Sequence, residues 1–445
     1  MRAAVILLAI GLCSVPPLLA LTCPSFTHAT ALADQPPKPL WTFDTKSPSY
    51  GSASVGDVDG DGKPEIVFGT YYNDEHLYCL DAATGRVKWK LKSEGGPFDA
   101  SATIADVDGD GKPEVLAADS STGTLFAVSG DGKVKWKHRL PNSTDSPPAI
   151  ADIDGDGHVE IVVGVMWLKG GSGRVLALDA KTREVKWSAE VPGCVQSEPA
   201  LVDLNGDGVL DAIVTSWRGD KSVHALSGKD GKLLWKFEAS GDMYHGVSVF
   251  RAGGELRIAF ATCAGDVYAL DKTGKQLWTL HLGGYLFAPT AVADLDADGS
   301  LDIVVPGDRI TVVSASGKQM WQSESYGSIS RGAAIADWNG DGTPDVLFGA
   351  SDRKFRGLDG KTGRELFEYD ATVKGEVYES IGSAPVVADF DGDGRLDVFF
   401  VVGKGTSDET KPQNYGRAVA LKGLAGRGPG WPTFRGNLLR TGASR

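Results

Sequence analysis

An all-β chain assembled from eight copies of one four-stranded unit is the fold this sequence predicts, and three observations predict it. The first is a loop, Asp57-Val58-Asp59-Gly60-Asp61-Gly62-Lys63-Pro64-Glu65, whose alternating acids, glycine and closing carboxylate occur seven times at a spacing of about 47 residues. The second is a hairpin signature, Leu77 to Trp89, in which an alternating strand, an Asp/Thr/Gly turn and a strand with one large aromatic follow each loop. The third is glycine, 58 of 445 residues, nearly twice the usual ~7%, as a chain of many tight turns requires. A lone sheet of such short strands leaves both faces bare. Stacked radially, with each aromatic filling the gap to the next sheet, the units make an eight-bladed β-propeller of four-stranded antiparallel blades.

Taken in order, residues 1–33 read as an export signal. Arg2 is its only charge, Ala3 to Leu12 is an apolar core, and Ala31-Leu32-Ala33 is a small-x-small cleavage site. Residues 34–445 then form one propeller domain. Pro39-Leu40-Trp41-Thr42-Phe43 is an orphan fourth strand before the first blade. The last repeat lacks that strand after Gly416 to Leu421, so residues 39–44 are expected to complete it and remove a free edge.

The loops sit between the first and second strands of their blades. They supply Asp57, Asp59, Asp61 and Glu65; Asp106, Asp108, Asp110 and Glu114; Asp152, Asp154, Asp156 and Glu160; and Asp203, Asn205, Asp207 and Asp211. After a gap of two periods come Asp294, Asp296, Asp298 and Asp302; Asp337, Asn339, Asp341 and Asp345; and Asp389, Asp391, Asp393 and Asp397. Oxygens at positions 1, 3 and 5, a glycine at 6 and an acid at 9 suit a hard cation, Ca²⁺. About seven structural Ca²⁺ sites are expected. The fifth repeat keeps its hairpin, Val267 to Trp278, but carries Phe250-Arg251-Ala252-Gly253-Gly254-Glu255 where the acids would stand. A metal-free glycine turn is expected there.

The formal charge of −13 argues against nucleic acid and anionic membranes as partners. Much of it is ligand, because the seven loops hold 26 carboxylates. No segment after the signal is apolar and long enough to span a bilayer. Cys79, Cys194 and Cys263 are an odd set without metal-type spacing. A Cys194–Cys263 bridge between repeats is one option for two of them.

With these residues in view, the loops resemble the FG-GAP/VCBS repeats of integrin α-chain heads and of many exported bacterial proteins. The hairpin signature resembles the tryptophan-docking repeat of PQQ-type propellers. Trp431-Pro432-Thr433-Phe434-Arg435-Gly436-Asn437 is also similar to a segment of those exported proteins. With the export signal, a secreted, periplasmic or cell-surface monomer is expected, and the resemblance implies structural cations on one face and a ligand on the other.

That other face carries the turns from the second to the third strand and the links between blades. It gathers Tyr72, Trp167, Trp217, Tyr244, His245, Tyr285, Arg331 and Glu379 as candidate ligand-binding residues. Aromatics with scattered polar groups suit a glycan or protein ligand. The expected function is therefore a non-catalytic recognition or scaffold module. A polysaccharide lyase on the same ring is the enzyme alternative, with Tyr244, His245 and Arg331 as its cluster. A quinoprotein is less favoured, because the resemblance implies an adjacent cysteine pair over the cofactor and this chain has none. Arg218-Gly219-Asp220 spells an adhesion tripeptide that chance explains in a glycine-rich chain.

Overall fold

The computed structural model describes residues 36–166, 171–407, 413–423 and 426; the segment read as an export signal, Trp167 and residues 431–437 lie outside them. All regular structure among the described residues is β, in eight antiparallel sheets. The first blade shows the unit: Ser54–Gly56, Glu65–Gly69, His76–Asp81 and Val87–Lys92 pair in sequence order. The inner three strands are largely buried, flanked by neighbouring sheets, with apolar residues such as Val55, Ile66–Phe68 and Leu77–Leu80 inside. The fourth alternates half-buried and exposed residues, as an outermost strand does. No helix of the described residues is long and apolar enough to cross a membrane.

The eighth blade is closed by the start of the chain. Pro39–Thr45 pairs antiparallel with Tyr415–Leu421, placing Phe43 opposite Ala418. Arg417 Nε reaches Asp44 Oδ1 across this seam at 2.6 Å. The fifth blade also follows its sequence. Ser248–Ala252 and Glu255–Ala261 are joined by Gly253 and Gly254 alone, at φ +60° and +80°. Both values lie in the left-handed region that a two-residue hairpin turn demands and glycine adopts without strain.

Two seams tie each blade to the next. At the periphery, the fourth-strand indole donates to a carbonyl of the following blade: Trp89 Nε1 to Gly130 O at 2.9 Å, Trp235 to Lys272 O at 3.0 Å, Trp278 to Ala315 O at 2.9 Å and Trp321 to Gly360 O at 2.8 Å. Trp41 does the same from the closing strand, to Ala82 O at 2.7 Å. The indole lies flat on a turn glycine. A Cβ on Gly132 would sit 2.7 Å from Trp89, and one on Gly274 would sit 2.6 Å from Trp235. Blade three has Arg183 at that turn, and its guanidinium stacks over Trp136 at 5.8 Å. Near the axis the seam is polar. Buried hydroxyls on or beside the innermost strands donate to the next blade, Ser54 to Ala102 O, Thr103 to Pro148 O, Ser146 to Ser197 O and Ser248 to Thr290 O, all at 2.7–2.8 Å.

Cys194 and Cys263 are not joined in a disulfide, so the option of a bridge between them is not realised. Cys79 is buried in the core between the first and second blades.

Because the closing strand supplies both the edge of blade eight and Trp41, removing Pro39–Thr45 should lower the melting temperature by several degrees and promote self-association. Size-exclusion chromatography and a thermal melt check this. A monomer that melts like the full chain would contradict it.

Candidate functional site

Outside blade five, each innermost strand runs from an inter-blade link at one face to an acidic loop at the other, so the two sets of candidates lie on opposite faces of the ring. In the first acidic loop Asp57 Oδ1 accepts from Gly60 N at 2.7 Å and its Oδ2 from Gly62 N at 2.9 Å. Glu65, fully buried at the start of the second strand, accepts from Val58 N at 2.9 Å. The closing acid is thus a backbone anchor as well as a potential ligand. The same anchor recurs at Glu114, Glu160, Asp211, Asp302, Asp345 and Asp397.

Within each acidic loop of the first, second, third, sixth and eighth blades, carboxylate oxygens converge to within 4.8 Å of one another, a spacing that suits a cation, and in all of these but the sixth a lysine ammonium already lies against them. In blades four and seven the third position is an amide, and Asn205 and Asn339 donate to Asp207 and Asp341. The His158 residue is exposed, and its backbone N–H donates to Asp156 Oδ1 at 2.8 Å. Burial, opposed by backbone hydrogen bonds, pushes the carboxyls of Asp302 up to about 6 and Asp345 up to about 8.

The opposite face is organised around the ring axis. Arg331, in the link before blade seven, acts electrostatically on Tyr244 before blade five, Asp99 before blade two, Asp145 before blade three and Glu198 before blade four. Groups from links this far apart around a ring meet only where all links converge, at the mouth of its central channel. Asp99 and Asp145 lie within hydrogen-bonding reach of each other. Burial, and then the charge of Asp145, hold the Asp99 carboxyl well above the ordinary carboxylate range. Burial raises Asp145 too, but Gln196 Nε2 at 2.7 Å and the Tyr244 hydroxyl at 3.2 Å donate to it. The pair therefore holds a proton to higher pH than isolated carboxyls would, the larger upward push falling on Asp99, to which the Ser120 hydroxyl also donates.

Arg331 stays charged because Tyr244, Asp99, Asp145 and Glu198 outweigh its desolvation. Among the described residues no carboxylate lies within 4.0 Å of its guanidinium, which packs over the Tyr244 ring at 5.6 Å. An aromatic wall stands beside it. Tyr244 meets Phe287 at 4.4 Å and Trp217 at 5.5 Å, and the exposed Tyr285 stacks on Phe287 at 5.8 Å. His245 is buried below, with Nδ1 2.9 Å from Glu198 Oε1.

Of the eight sequence candidates for this face, the structure brings Trp217, Tyr244, His245, Tyr285 and Arg331 together. Tyr72 is at the rim, its hydroxyl 2.9 Å from Ser121 Oγ and its ring against Tyr71, which in turn touches Tyr50. Glu379 stands apart. It is buried and its carboxylate accepts from Val373, Lys374 and Gly375 nitrogens and the Tyr415 hydroxyl, so it braces its own loop. Asp220 of the Arg-Gly-Asp tripeptide is engaged by Ser216, His224 and Lys236. Asp145 was missed by sequence reasoning, and Asp99, Gln196 and Glu198 were not singled out. Their shared position, one to three residues before or after the same hydroxyl-bearing link, was the available signal.

The raised Asp99 pKa has a testable sign. The folded state holds this proton more tightly than the unfolded chain, so the stability it confers is complete below the ordinary value of about 3.9 and is lost as pH rises through the raised one. Asp99→Asn should therefore melt above the wild type at pH 7–8, with the gap closing toward pH 4. The gap should grow by on the order of 1.4 kcal/mol for every tenfold by which folding tightens the hold on the proton. A difference that does not vary with pH would contradict the assignment.

Comparison with known proteins agrees with the repeat architecture. The family described as outer membrane protein assembly factor BamB matches residues 154–249 and 219–423. An FG-GAP-like repeat matches residues 106–163 and an FG-GAP repeat residues 49–88. Over 163 residues the chain is 26% identical to the serine/threonine-protein kinase AfsK of Streptomyces griseus, a match covering 37% of this chain and only 19% of that protein. A europium-containing methanol dehydrogenase superposes with a TM-score of 0.63 at 13% identity, over 86% of this chain and 93% of its own. The V. cholerae biofilm matrix protein Bap1 gives 0.50 at 17% identity, over 90% and 94%. At such identities the structural likeness bears on the fold alone.

Proposed function

This chain belongs to the family described as outer membrane protein assembly factor BamB, and on that premise we propose that it is an exported, calcium-supported, non-catalytic recognition module whose channel mouth binds a glycan. One observation carries the reading: Arg331 presents its donors at the axis with no carboxylate within 4.0 Å among the described residues, beside the wall of Trp217, Tyr244, Tyr285 and Phe287. Flat apolar rings accept the faces of sugar rings. Gln196, Asp145 and Asp99 offer donors and acceptors for hydroxyls, and Arg331 suits a carboxylate or sulfate on the sugar. A few convergent polar groups in an aromatic frame give orientation and selectivity without chemistry.

A glycan array probed with the folded protein tests this. Binding of an acidic oligosaccharide should weaken about 10- to 100-fold in Arg331→Gln, the range of a lost charge-assisted hydrogen bond. It should also weaken in Trp217→Ala. An array without a ligand, or binding indifferent to both variants, would overturn the proposal and favour a protein partner.

The lyase reading has its own support, since Tyr244 and His245 adjoin at 5.0 Å and Arg331 covers the Tyr244 ring. Against it, burial and then the Asp145 charge raise the Tyr244 pKa, which keeps the phenol protonated where a lyase needs a base. Unsaturated products from a polyuronate, abolished by Tyr244→Phe, would establish that activity instead.

A further inference from the structure

The seven acidic loops share one backbone design but do not share one source of positive charge. In blades one, two and three the residue before the fourth-strand tryptophan is Lys88, Lys135 or Lys186. Lys88 Nζ lies 2.5 Å from Asp59, 3.1 Å from Asp61 and 2.7 Å from Glu65. Lys135 repeats this at 2.5, 3.3 and 2.8 Å from Asp108, Asp110 and Glu114. Lys186 does so at 2.6, 2.9 and 2.7 Å from Asp154, Asp156 and Glu160. In each case the ammonium sits among the oxygens of loop positions 3, 5 and 9. Blade eight reaches a related arrangement from its third strand, with Lys422 Nζ 2.6 Å from Asp391 and 2.8 Å from Asp393.

Among the described residues the other three loops have no such lysine. The equivalent strand position is Leu234, Met320 or Leu366 in blades four, six and seven. The loop's closing residue changes in step. Glu closes the three loops that meet a fourth-strand lysine, and Asp closes Leu234's, Met320's and Leu366's loops. The extra methylene of Glu carries its carboxylate outward toward an ammonium arriving from the outer strand. The negative charge varies as well: blades four and seven give up one acid for Asn205 and Asn339, whereas blade six keeps all four with no lysine.

We propose that Lys88, Lys135, Lys186 and Lys422 are built-in cations that replace a divalent ion in their own loops, so that bound calcium is confined to blades four, six and seven. A Ca²⁺ entering a lysine-filled loop must first expel an ammonium from three carboxylates, or from two in blade eight, and then lie beside it. Affinity in such oxygen sites follows ligand charge and rigidity, and the expelled cation subtracts from both. The loops without lysine offer oxygens at the same positions, an amide oxygen replacing one carboxylate in blades four and seven, with nothing to expel. The arrangement makes half of the ring independent of metal while leaving the other arc responsive to it. This goes beyond the glycan reading and does not depend on it.

Metal analysis tests the division. The full chain is stripped by chelation, reloaded with Ca²⁺, desalted and assayed for calcium per chain. Three ions are expected in the wild type. The triple variant Lys88→Met, Lys135→Met, Lys186→Met should hold six, and Met320→Lys should hold two. Should the triple variant fail to fold, Lys88→Met alone should hold four. Seven ions in the wild type, with the count unmoved by Lys88→Met and by Met320→Lys, would overturn the proposal.

Discussion

An indole lying on a glycine and donating to a carbonyl of the next blade is the contact on which this ring depends. A four-stranded sheet this short cannot bury its own faces, so each blade is stable only through its neighbours. The apolar faces would tolerate sliding, because hydrophobic contact is non-directional. The Trp Nε1–carbonyl bond fixes the angle and height at which consecutive sheets meet, and the inner hydroxyl belt fixes them again near the axis. Where Arg183 replaces the turn glycine, a guanidinium over Trp136 stands in. Where Phe367 replaces the indole, the fully buried Trp338 of the acidic loop packs against it at 5.4 Å.

Ring closure turns these pairwise contacts into a site. With the chain start paired into blade eight, single residues from links far apart in sequence face one another across a channel. Asp99 and Arg331 are 232 positions apart, yet the charge of one helps set the protonation of the other. The mouth can therefore change by substitution at separate links without disturbing the blades. The acidic loops on the far face do a different task, holding a sharp turn under dense negative charge.

The fold was legible because its causes are local. The repeated Asp/Gly loop, the Thr-Gly turn and the tryptophan each mark a strand boundary within a few residues, and the Gly253-Gly254 turn was readable for the same reason. The mouth was legible only in part. Trp217, Tyr244 and Arg331 stand out by residue type on linking segments, but the partnership of Asp99 with Asp145 exists only once eight blades close. Glu379 was misleading, since nothing local says that its carboxylate turns back on its own loop. The lysines were visible as alternating strand residues. Their role needed the structure, because it spans the width of a blade.

A working channel mouth requires that the links act as one surface. Hydrogen–deuterium exchange with a bound ligand, read link by link, measures this most directly. Protection should appear together in the segments around Asp99, Asp145, Gln196, Tyr244, Phe287 and Arg331, with the acidic loops unchanged. Protection confined to a single blade, or centred on the acidic loops, would contradict it.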